Sequence, residues 1–214
     1  MKILLTGFDP FDREKVNPAF EAVKLLPDTI AGAQIVKLEV PTQFVRAGKV
    51  LEAAMAEHKP DVVICVGQAG GRVAITPEKV AINLMDGRIP DNAGYQPVDV
   101  PIRADGPAAY FATLPVKAMV QRMQDAGIPA AVSYTAGTYV CNSLMYTLLF
   151  LIDRKFPGVR GGFIHVPYAM EQAVNKPLGT PSMDLRQISR GLEKAVEAVV
   201  ICGRDTAVPM GTTH

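Results

Sequence analysis

The sequence predicts an α/β protein: a single-domain, three-layer α/β/α fold with an open, mostly parallel sheet and an antiparallel hairpin excursion. Two continuous apolar runs, Asp61 to Val66 and Gly161 to Val166, are typical of parallel strands that are buried on both faces. Segments with helical periodicity separate such runs, and this alternation is the pattern of an α/β sheet with right-handed crossovers. The length of 214 residues suits one domain over residues 1–214.

The first sixty residues establish the alternation of strands and helices. Lys2 to Thr6 is predicted as a buried strand, followed by a loop that carries two phenylalanines. Asn17-Pro18 offers a capping side chain and a proline at the first helical position, so a helix is expected to begin there. A half-buried strand at 35–40 and an amphipathic helix that ends before Pro60 complete this part.

The middle of the chain departs from this alternation. The strand at 61–66 runs into a glycine-bearing loop at 67–71. Residues 73–105 then contain short strand-like pieces between prolines, glycines and polar turns, which predicts an irregular hairpin excursion off the main sheet. A helix over 115–126, stopped by Gly127, returns the chain to the main fold.

The last part of the chain carries the most informative stretch. Ala130 to Thr135 is predicted as a short buried strand closed by Ala136-Gly137, and the apolar segment from Asn142 to Ile152 is too long for a strand and is predicted as a helix. The strand at 161–166 follows, and apolar residues spaced at three and four from 185 to 199 predict a closing amphipathic helix.

Composition and charge narrow the function classes. Twenty-two basic and 21 acidic residues give a net charge of +1 without a basic stripe, so neither nucleic acid nor an anionic membrane is an expected partner, and a small or neutral ligand fits better. The short apolar run at the N-terminus is not a signal peptide and no segment reaches a membrane span, so a cytoplasmic protein is expected. Three scattered cysteines favour neither a disulfide framework nor a zinc site, and no metal or cofactor is expected.

Cys141 is the candidate nucleophile. It lies between the predicted strand and the predicted helix, where unpaired backbone N–H groups and the helix dipole favour a thiolate. Most cysteines are small buried hydrophobic residues, so position alone does not establish this role. Cys65 and Cys202 are expected to be structural.

His165 is the candidate base. It ends an apolar strand at the same sheet edge as Cys141, whereas His214 is terminal and His58 lies in a charged helix end. A thiol with a base in reach is the arrangement that covalent acyl transfer requires. A third group would orient the imidazole, and the candidate carboxylates at this edge are Asp9, Glu78, Asp86 and Asp91, which these patterns do not rank.

Other residues at this edge suggest a pocket. In open α/β sheets ligands bind beyond the carboxyl ends of the strands, where Phe8, Phe11 and Gln68 are expected. The glycines at 67–71 suggest a phosphate-binding loop only weakly, because they lack the GxGxxG spacing and a Walker lysine. A nucleoside phosphorylase-like transferase and a non-enzymatic small-molecule-binding module therefore remain alternatives to a cysteine hydrolase.

Seven motifs in order resemble the type I pyroglutamyl peptidases, also called pyrrolidone-carboxylate peptidases. They cover almost the whole chain: GFDPF (7–11), VNP (16–18), VGQAGGR (66–72), PEKVAIN (77–83), RIPDN (88–92), YTAGTYVCN (134–142) and GFIHVPY (162–168).

This resemblance implies a cysteine peptidase with a Cys/His/Glu triad that removes N-terminal pyroglutamyl residues from peptides. By motif match the nucleophile is Cys141, the base is His165 and the orienting carboxylate is Glu78. The resemblance also implies a homo-oligomer, often a tetramer. Phe8, Phe11, Gln68 and Tyr139 are expected to hold the lactam ring, and Arg88 is expected near the oxyanion.

The chain departs from the family pattern at three places. Asp12-Arg13 stands where relatives often have two glycines, Tyr139 where many have phenylalanine, and Ser143 where many have histidine. The first two positions are expected to alter the rim or wall of the pocket, while the triad positions are intact.

Overall fold

The computed structural model describes residues 1–212 and contains ten strands and six helices in that range. The strands are β1 (Lys2–Phe8), β2 (Thr29–Ile30), β3 (Ala33–Val40), β4 (Val62–Gln68), β5 (Thr76–Pro77), β6 (Val80–Ile82), β7 (Ala109–Phe111), β8 (Arg160–Val166), β9 (Tyr168–Ala169) and β10 (Ser182–Met183). The helices are α1 (Pro18–Lys24), α2 (Phe44–His58), α3 (Val116–Asp125), α4 (Val140–Arg154), α5 (Met170–Ala173) and α6 (Leu185–Ile201).

The central sheet has the order β2-β3-β1-β4-β8-β5. Its four long strands, β3, β1, β4 and β8, run parallel, and the short strands β2 and β5 pair antiparallel at the two edges. The predicted α/β fold with a mostly parallel sheet is confirmed. Because the long strands run in one direction, their carboxyl ends meet at one edge, and the loops after β1, β4 and β8 gather there.

Helices cover both faces of the sheet. On one face α1 packs against β1, β4 and α6, and α3 packs against α6; on the other α4 packs against β4 and β8 and is covered by α2. The predicted cap of α1 is present, since the Asn17 side chain accepts a hydrogen bond from the Ala19 N–H (3.1 Å) and Pro18 is the first helical residue. Among residues 1–212, no helix combines the length and the apolar character needed to cross a membrane.

The predicted buried strand over Ala130 to Thr135 is wrong. This segment is extended but forms only isolated bridges to the segment around β5, and its burial alternates, with Ala130 and Val132 buried and Tyr134 exposed. Its N–H groups at 131 and 133 donate to backbone carbonyls of that segment, but Pro77 has no N–H to return the bond that would complete a ladder. The proline therefore breaks what the apolar pattern predicted as a strand.

The excursion extends further than the sequence indicated. The predicted range of 73–105 begins in the loop before β5, and the chain does not return until β7, which pairs antiparallel with β6 at 109–111. The excursion packs on α4 through β6 and β7 and so reaches the beginning of that helix.

Candidate active site

Cys141 and His165 are brought together at the carboxyl edge of the sheet. His165 lies near the end of β8 with only 3% of its surface exposed, and it pairs in register with Gly67 of β4. Cys141 is the second residue of α4, and a Cβ atom placed on Gly67 would lie 2.9 Å from its Sγ. The sulfur therefore lies directly over Gly67, and Gly67 lies on β4, the strand next to that of His165. The glycine is needed here because any side chain would displace the thiol.

Glu78 is the carboxylate that contacts His165. It is completely buried, and its Oε1 lies 2.7 Å from the Nδ1 of His165. Its own backbone N–H donates to the Phe163 carbonyl (2.9 Å), which fixes it beside β8. With Nδ1 donating to the carboxylate, Nε2 is the nitrogen that is free to accept a proton.

Two of the other candidate carboxylates have structural partners. The Asp9 carboxylate accepts from the Thr42 N–H at 2.6 Å, which joins the loop after β1 to the start of α2. Asp91 accepts from the backbone N–H groups of Phe44, Ala93 and Tyr95 and so stabilises α2 and its own turn. The choice that the residue patterns left open therefore falls geometrically on Glu78.

Arg72 is a site residue that sequence reasoning missed. Its Nη1 donates to Glu78 Oε1 (2.6 Å) and to the Thr76 hydroxyl, and its Nη2 donates to the Thr135 carbonyl (3.1 Å). One guanidinium thus joins the glycine loop, the segment that carries Glu78 and the segment that leads to Cys141. The available signal was its place directly after the glycine loop, at the same sheet edge as Gln68.

The turn before Cys141 is tied to the excursion. Thr138 donates through Oγ1 to the Asp86 carbonyl (2.8 Å), and the Asp86 N–H donates to the Thr138 carbonyl (3.0 Å). One residue after the cysteine, the Asn142 side chain accepts from the Ile82 N–H and donates to the carbonyls of Ile82 and Leu84. The sequence carried no signal for Asn142 beyond its place in a family motif, yet its contacts fix the first turn of α4.

Burial keeps both reacting groups neutral in the resting site. Burial and the nearby Glu78 charge raise the pKa of the Cys141 thiol from 9.0 to about 12, although Arg72 and the backbone N–H oppose this effect. Burial also lowers the pKa of His165 below 6.5, against the opposing hydrogen bond to Glu78. The thiolate expected from the helix position is therefore not the resting state, and the geometry suits proton transfer from a neutral thiol to a neutral imidazole.

A pocket of about 280 Å³ opens beside these groups. Aromatic rings form part of its wall: the Tyr139 ring lies 6.2 Å from Phe11, and the buried Phe8 ring lies 6.3 Å from Phe163. Tyr139 is held by the hydrogen bond from its hydroxyl to the Pro90 carbonyl (3.0 Å). The other lining residues are Asn17, Thr42, Gln68, Ala69, Arg72, Thr135, Ala136, Gly137, Thr138, Cys141 and His165.

Comparison with known proteins identifies the family. The family model described as pyroglutamyl peptidase matches residues 1–201. The chain belongs to the pyroglutamyl peptidase family. The resemblance carried by its motifs is thereby confirmed, as is the prediction of a peptidase.

Relatives match the whole chain, and solved structures match almost all of it. The pyrrolidone-carboxylate peptidases of Streptococcus pneumoniae and Enterococcus faecalis are each 57% identical, over 100% of both chains. The crystal structure of pyroglutamyl peptidase I from Bacillus amyloliquefaciens matches with a TM-score of 0.94 at 51% identity, covering 97% of this chain and 99% of that one. The pyrrolidone carboxyl peptidase from Thermococcus litoralis matches with a TM-score of 0.92 at 40% identity and the same coverage.

Four of the five residues predicted to bind substrate line the pocket of this peptidase, and Arg88 does not. Phe8, Phe11, Gln68 and Tyr139 line the pocket. Arg88 is exposed and does not line it, because the turn at 87–97 closes on itself when the Gln96 amide donates to the carbonyls of Gly87 and Arg88. The cation in the pocket wall is Arg72.

The three departures from the family pattern have different surroundings. Asp12 and Arg13 have φ angles of 51° and 63°, the left-handed conformation that favours glycine. Tyr139 adds the hydroxyl that bonds to Pro90. Ser143 is buried, and its hydroxyl donates to the Phe44 carbonyl (3.4 Å) away from the pocket lining.

Proposed function

We propose that Cys141, His165 and Glu78 carry out the removal of the N-terminal pyroglutamyl residue from peptides. One observation carries this assignment: His165 donates from Nδ1 to the buried Glu78 carboxylate, while the Cys141 sulfur lies over the glycine paired with His165. These contacts support a triad with Cys141 as nucleophile, His165 as base and Glu78 as orienting group.

The reaction begins with transfer of the thiol proton to Nε2 of His165. The sulfur attacks the carbonyl carbon of the pyroglutamyl residue, and the imidazolium, stabilised by Glu78, donates its proton to the departing peptide amine. The neutral imidazole then takes a proton from water, whose oxygen attacks the thioester, and the returning proton restores the thiol as free pyroglutamate leaves. Backbone N–H groups in the first turn of α4 are the donors for the oxyanion, because they have no helical acceptor.

The pocket favours a neutral lactam over a charged N-terminus. Its walls carry the rings of Phe8, Phe11 and Tyr139, which suit a small flat ring. Within residues 1–212, Arg72 is the one permanently charged side chain that lines the pocket, and it is a cation. An α-ammonium group would be repelled by this cation and would lose its hydration, whereas a lactam N–H pays no such cost.

The transferase alternative has weaker support. In the loop at 67–71, the Ala69 N–H donates to the Val166 carbonyl at 2.9 Å, and a Cβ on Gly70 would lie 2.2 Å from the Tyr168 hydroxyl oxygen. The glycines are explained by close packing in a tight turn, without a bound phosphate. The binding-module alternative gives no reason for a buried carboxylate beside the histidine.

The assembly and the location of the enzyme are part of the proposal. Exposed apolar side chains such as Val73, Phe111 and Leu178 support a homo-oligomer, since a partner subunit would bury such surface. Light scattering after size exclusion measures its size, and a tetramer is the expected result. A thiol nucleophile and three free cysteines suit the reducing cytoplasm.

Hydrolysis of a pyroglutamyl amide reporter by the purified protein tests the proposed function. We expect turnover of this reporter and none of its prolyl analogue, which lacks the lactam carbonyl. Cys141→Ala is the matched inactive control. Equal turnover of both reporters, or activity in the Cys141→Ala protein, would contradict the proposal.

A further inference from the structure

We propose that Gln172 determines substrate selectivity by fixing which end of the Gln68 amide faces the pocket. The proposal rests on the function proposed above and adds a positioning residue from outside the pocket. Gln172 lies on the short helix α5, is buried, and does not line the pocket.

The orientation of the Gln172 amide is determined by groups that cannot exchange roles. Its Oε1 accepts from the Ala169 backbone N–H (3.0 Å), which is only a donor. Its Nε2 lies 3.4 Å from the Val16 carbonyl and 3.2 Å from Glu14 Oε2, which are acceptors. A flipped amide would set N–H against N–H and oxygen against oxygen, so only one orientation satisfies these partners.

The charge of Glu14 reinforces this orientation. Partial burial works against ionisation of Glu14, but hydrogen bonds from Lys176 (2.6 Å) and Gln172 outweigh it and lower the pKa of Glu14. Glu14 is therefore a carboxylate at neutral pH and can only accept from Gln172.

The fixed amide of Gln172 then determines that of Gln68. Gln172 Nε2 lies 2.9 Å from the Gln68 side chain and is a donor, so the Gln68 atom facing it is the oxygen Oε1. The amide of Gln68 is left with its NH₂ group to offer a ligand. The pocket thus receives a donor at this position, through two hydrogen bonds that begin at the Ala169 backbone N–H, directly before α5.

This donor selects the chemistry of the ligand. A lactam carbonyl accepts a hydrogen bond from an NH₂ group, while a ring that presents N–H or CH₂ at the same place leaves that group unpaired. A site built to hydrogen-bond one group discriminates strongly against ligands that lack it, because the buried donor then has no partner. The recognised class is a neutral five-membered ring with a carbonyl acceptor.

Gln172→Glu is the decisive change. A glutamate carboxylate is only an acceptor, so Gln68 turns its NH₂ group toward position 172 and its oxygen toward the pocket. We expect KM for the pyroglutamyl reporter to rise about tenfold or more, with kcat within about threefold of wild type, since the acceptor of the substrate then faces an acceptor. Gln172→Met, which leaves Gln68 free to rotate, should give a smaller rise.

A matched ligand pair separates this role from a general loss of structure. Inhibition constants are measured for 2-pyrrolidinone and for its thiocarbonyl analogue, which keeps the ring and the N–H but is a weaker acceptor. Wild type should prefer 2-pyrrolidinone, and Gln172→Glu should lose that preference, whereas simple loosening of the site would weaken both ligands in proportion. Glu171→Gln, an exposed neighbour on α5, is the control and should match wild type.

A second variant covers the case in which the new charge disturbs folding. Glu14→Gln combined with Gln172→Glu removes the repulsion between two carboxylates and lets residue 14 donate instead, so this protein should fold and still lack the preference. Full preference for 2-pyrrolidinone in either folded variant would overturn the role of Gln172 alone. A wild-type protein with no activity on the pyroglutamyl reporter would overturn the proposed function and this role with it.

Discussion

Glu78→Gln tests the triad most sharply, because the surroundings of Glu78 predict what the substitution removes. Glu78 Oε1 accepts from both His165 and Arg72, whereas the buried Oε2 has no partner among the described residues. A glutamine can therefore keep its oxygen at the Oε1 position and place its NH₂ at the Oε2 position. The tautomer of His165 is retained, and the substitution removes mainly the negative charge.

The size of the effect follows from that charge. At an effective dielectric constant of about 20, a unit charge about 4 Å from the imidazolium is worth about 4 kcal/mol. Each tenfold in rate corresponds to about 1.4 kcal/mol, so kcat should fall roughly a thousandfold. KM should change little, because Glu78 does not line the pocket.

Steady-state kinetics on the pyroglutamyl reporter measures both constants, and Asp86→Asn and Asp91→Asn are the controls. Asp91→Asn should lower the melting temperature, since Asp91 accepts from three backbone N–H groups, but both controls should keep kcat near wild type. A wild-type kcat in Glu78→Gln, or an equal loss in either control, would mean that another group orients His165.

Three further predictions concern the nucleophile, its base and the neighbouring cation. Cys141→Ala should abolish turnover in the reporter assay while a thermal melt shows an unchanged melting temperature. Cys202→Ser should stay active in the same assay. Because burial lowers the pKa of His165 below 6.5, kcat/KM should stay level as the pH falls to 6.5 and decline only below that pH. A decline that begins above pH 6.5 would contradict the lowered pKa of His165. Arg72→Met should lower kcat about 10- to 100-fold and move this acid limb to higher pH, because a cation that opposes protonation of His165 is lost. The exposed Arg46→Met is the control and should change neither kcat nor the acid limb. An acid limb that does not move in Arg72→Met would refute the electrostatic effect.

The sequence predicted the fold, and the sheet edge that holds the candidate triad, because both depend on patterns that are local in the chain. Continuous apolar runs identified β4 and β8, and parallel strands place their carboxyl ends together, which located His165 at this edge. Cys141 was placed there through a predicted strand that does not form, and it is the start of α4 that brings it to the same edge. The choice of Glu78 over the other carboxylates came from family resemblance. Residue patterns alone could not make it, since it depends on where the excursion folds back.

The contacts that the sequence did not predict join residues far apart in the chain. Gln68 and Gln172 are separated by 104 residues, and Arg72 reaches a carbonyl 63 residues away. No periodicity encodes such pairs, because each depends on the placement of two loops. The expected position of Arg88 beside the pocket was wrong for a related reason. Its turn closes on itself through the Gln96 amide, and Arg88 is exposed outside the pocket lining.

The resting state of Cys141 shows how two physical effects compete at one residue. The position at the start of α4 favours a thiolate through the helix dipole, an effect worth about 0.3–1 kcal/mol, which is less than one pKa unit. Burial and the neighbouring Glu78 charge act in the opposite direction and carry the thiol pKa to about 12. The dipole is therefore too weak to ionise the free thiol, and its contribution is greater in the transition state, where negative charge develops on the oxyanion beside the same N–H groups. Hence iodoacetamide should alkylate the free enzyme at a rate that keeps rising above pH 9.0, and a plateau below that pH would show that the dipole prevails.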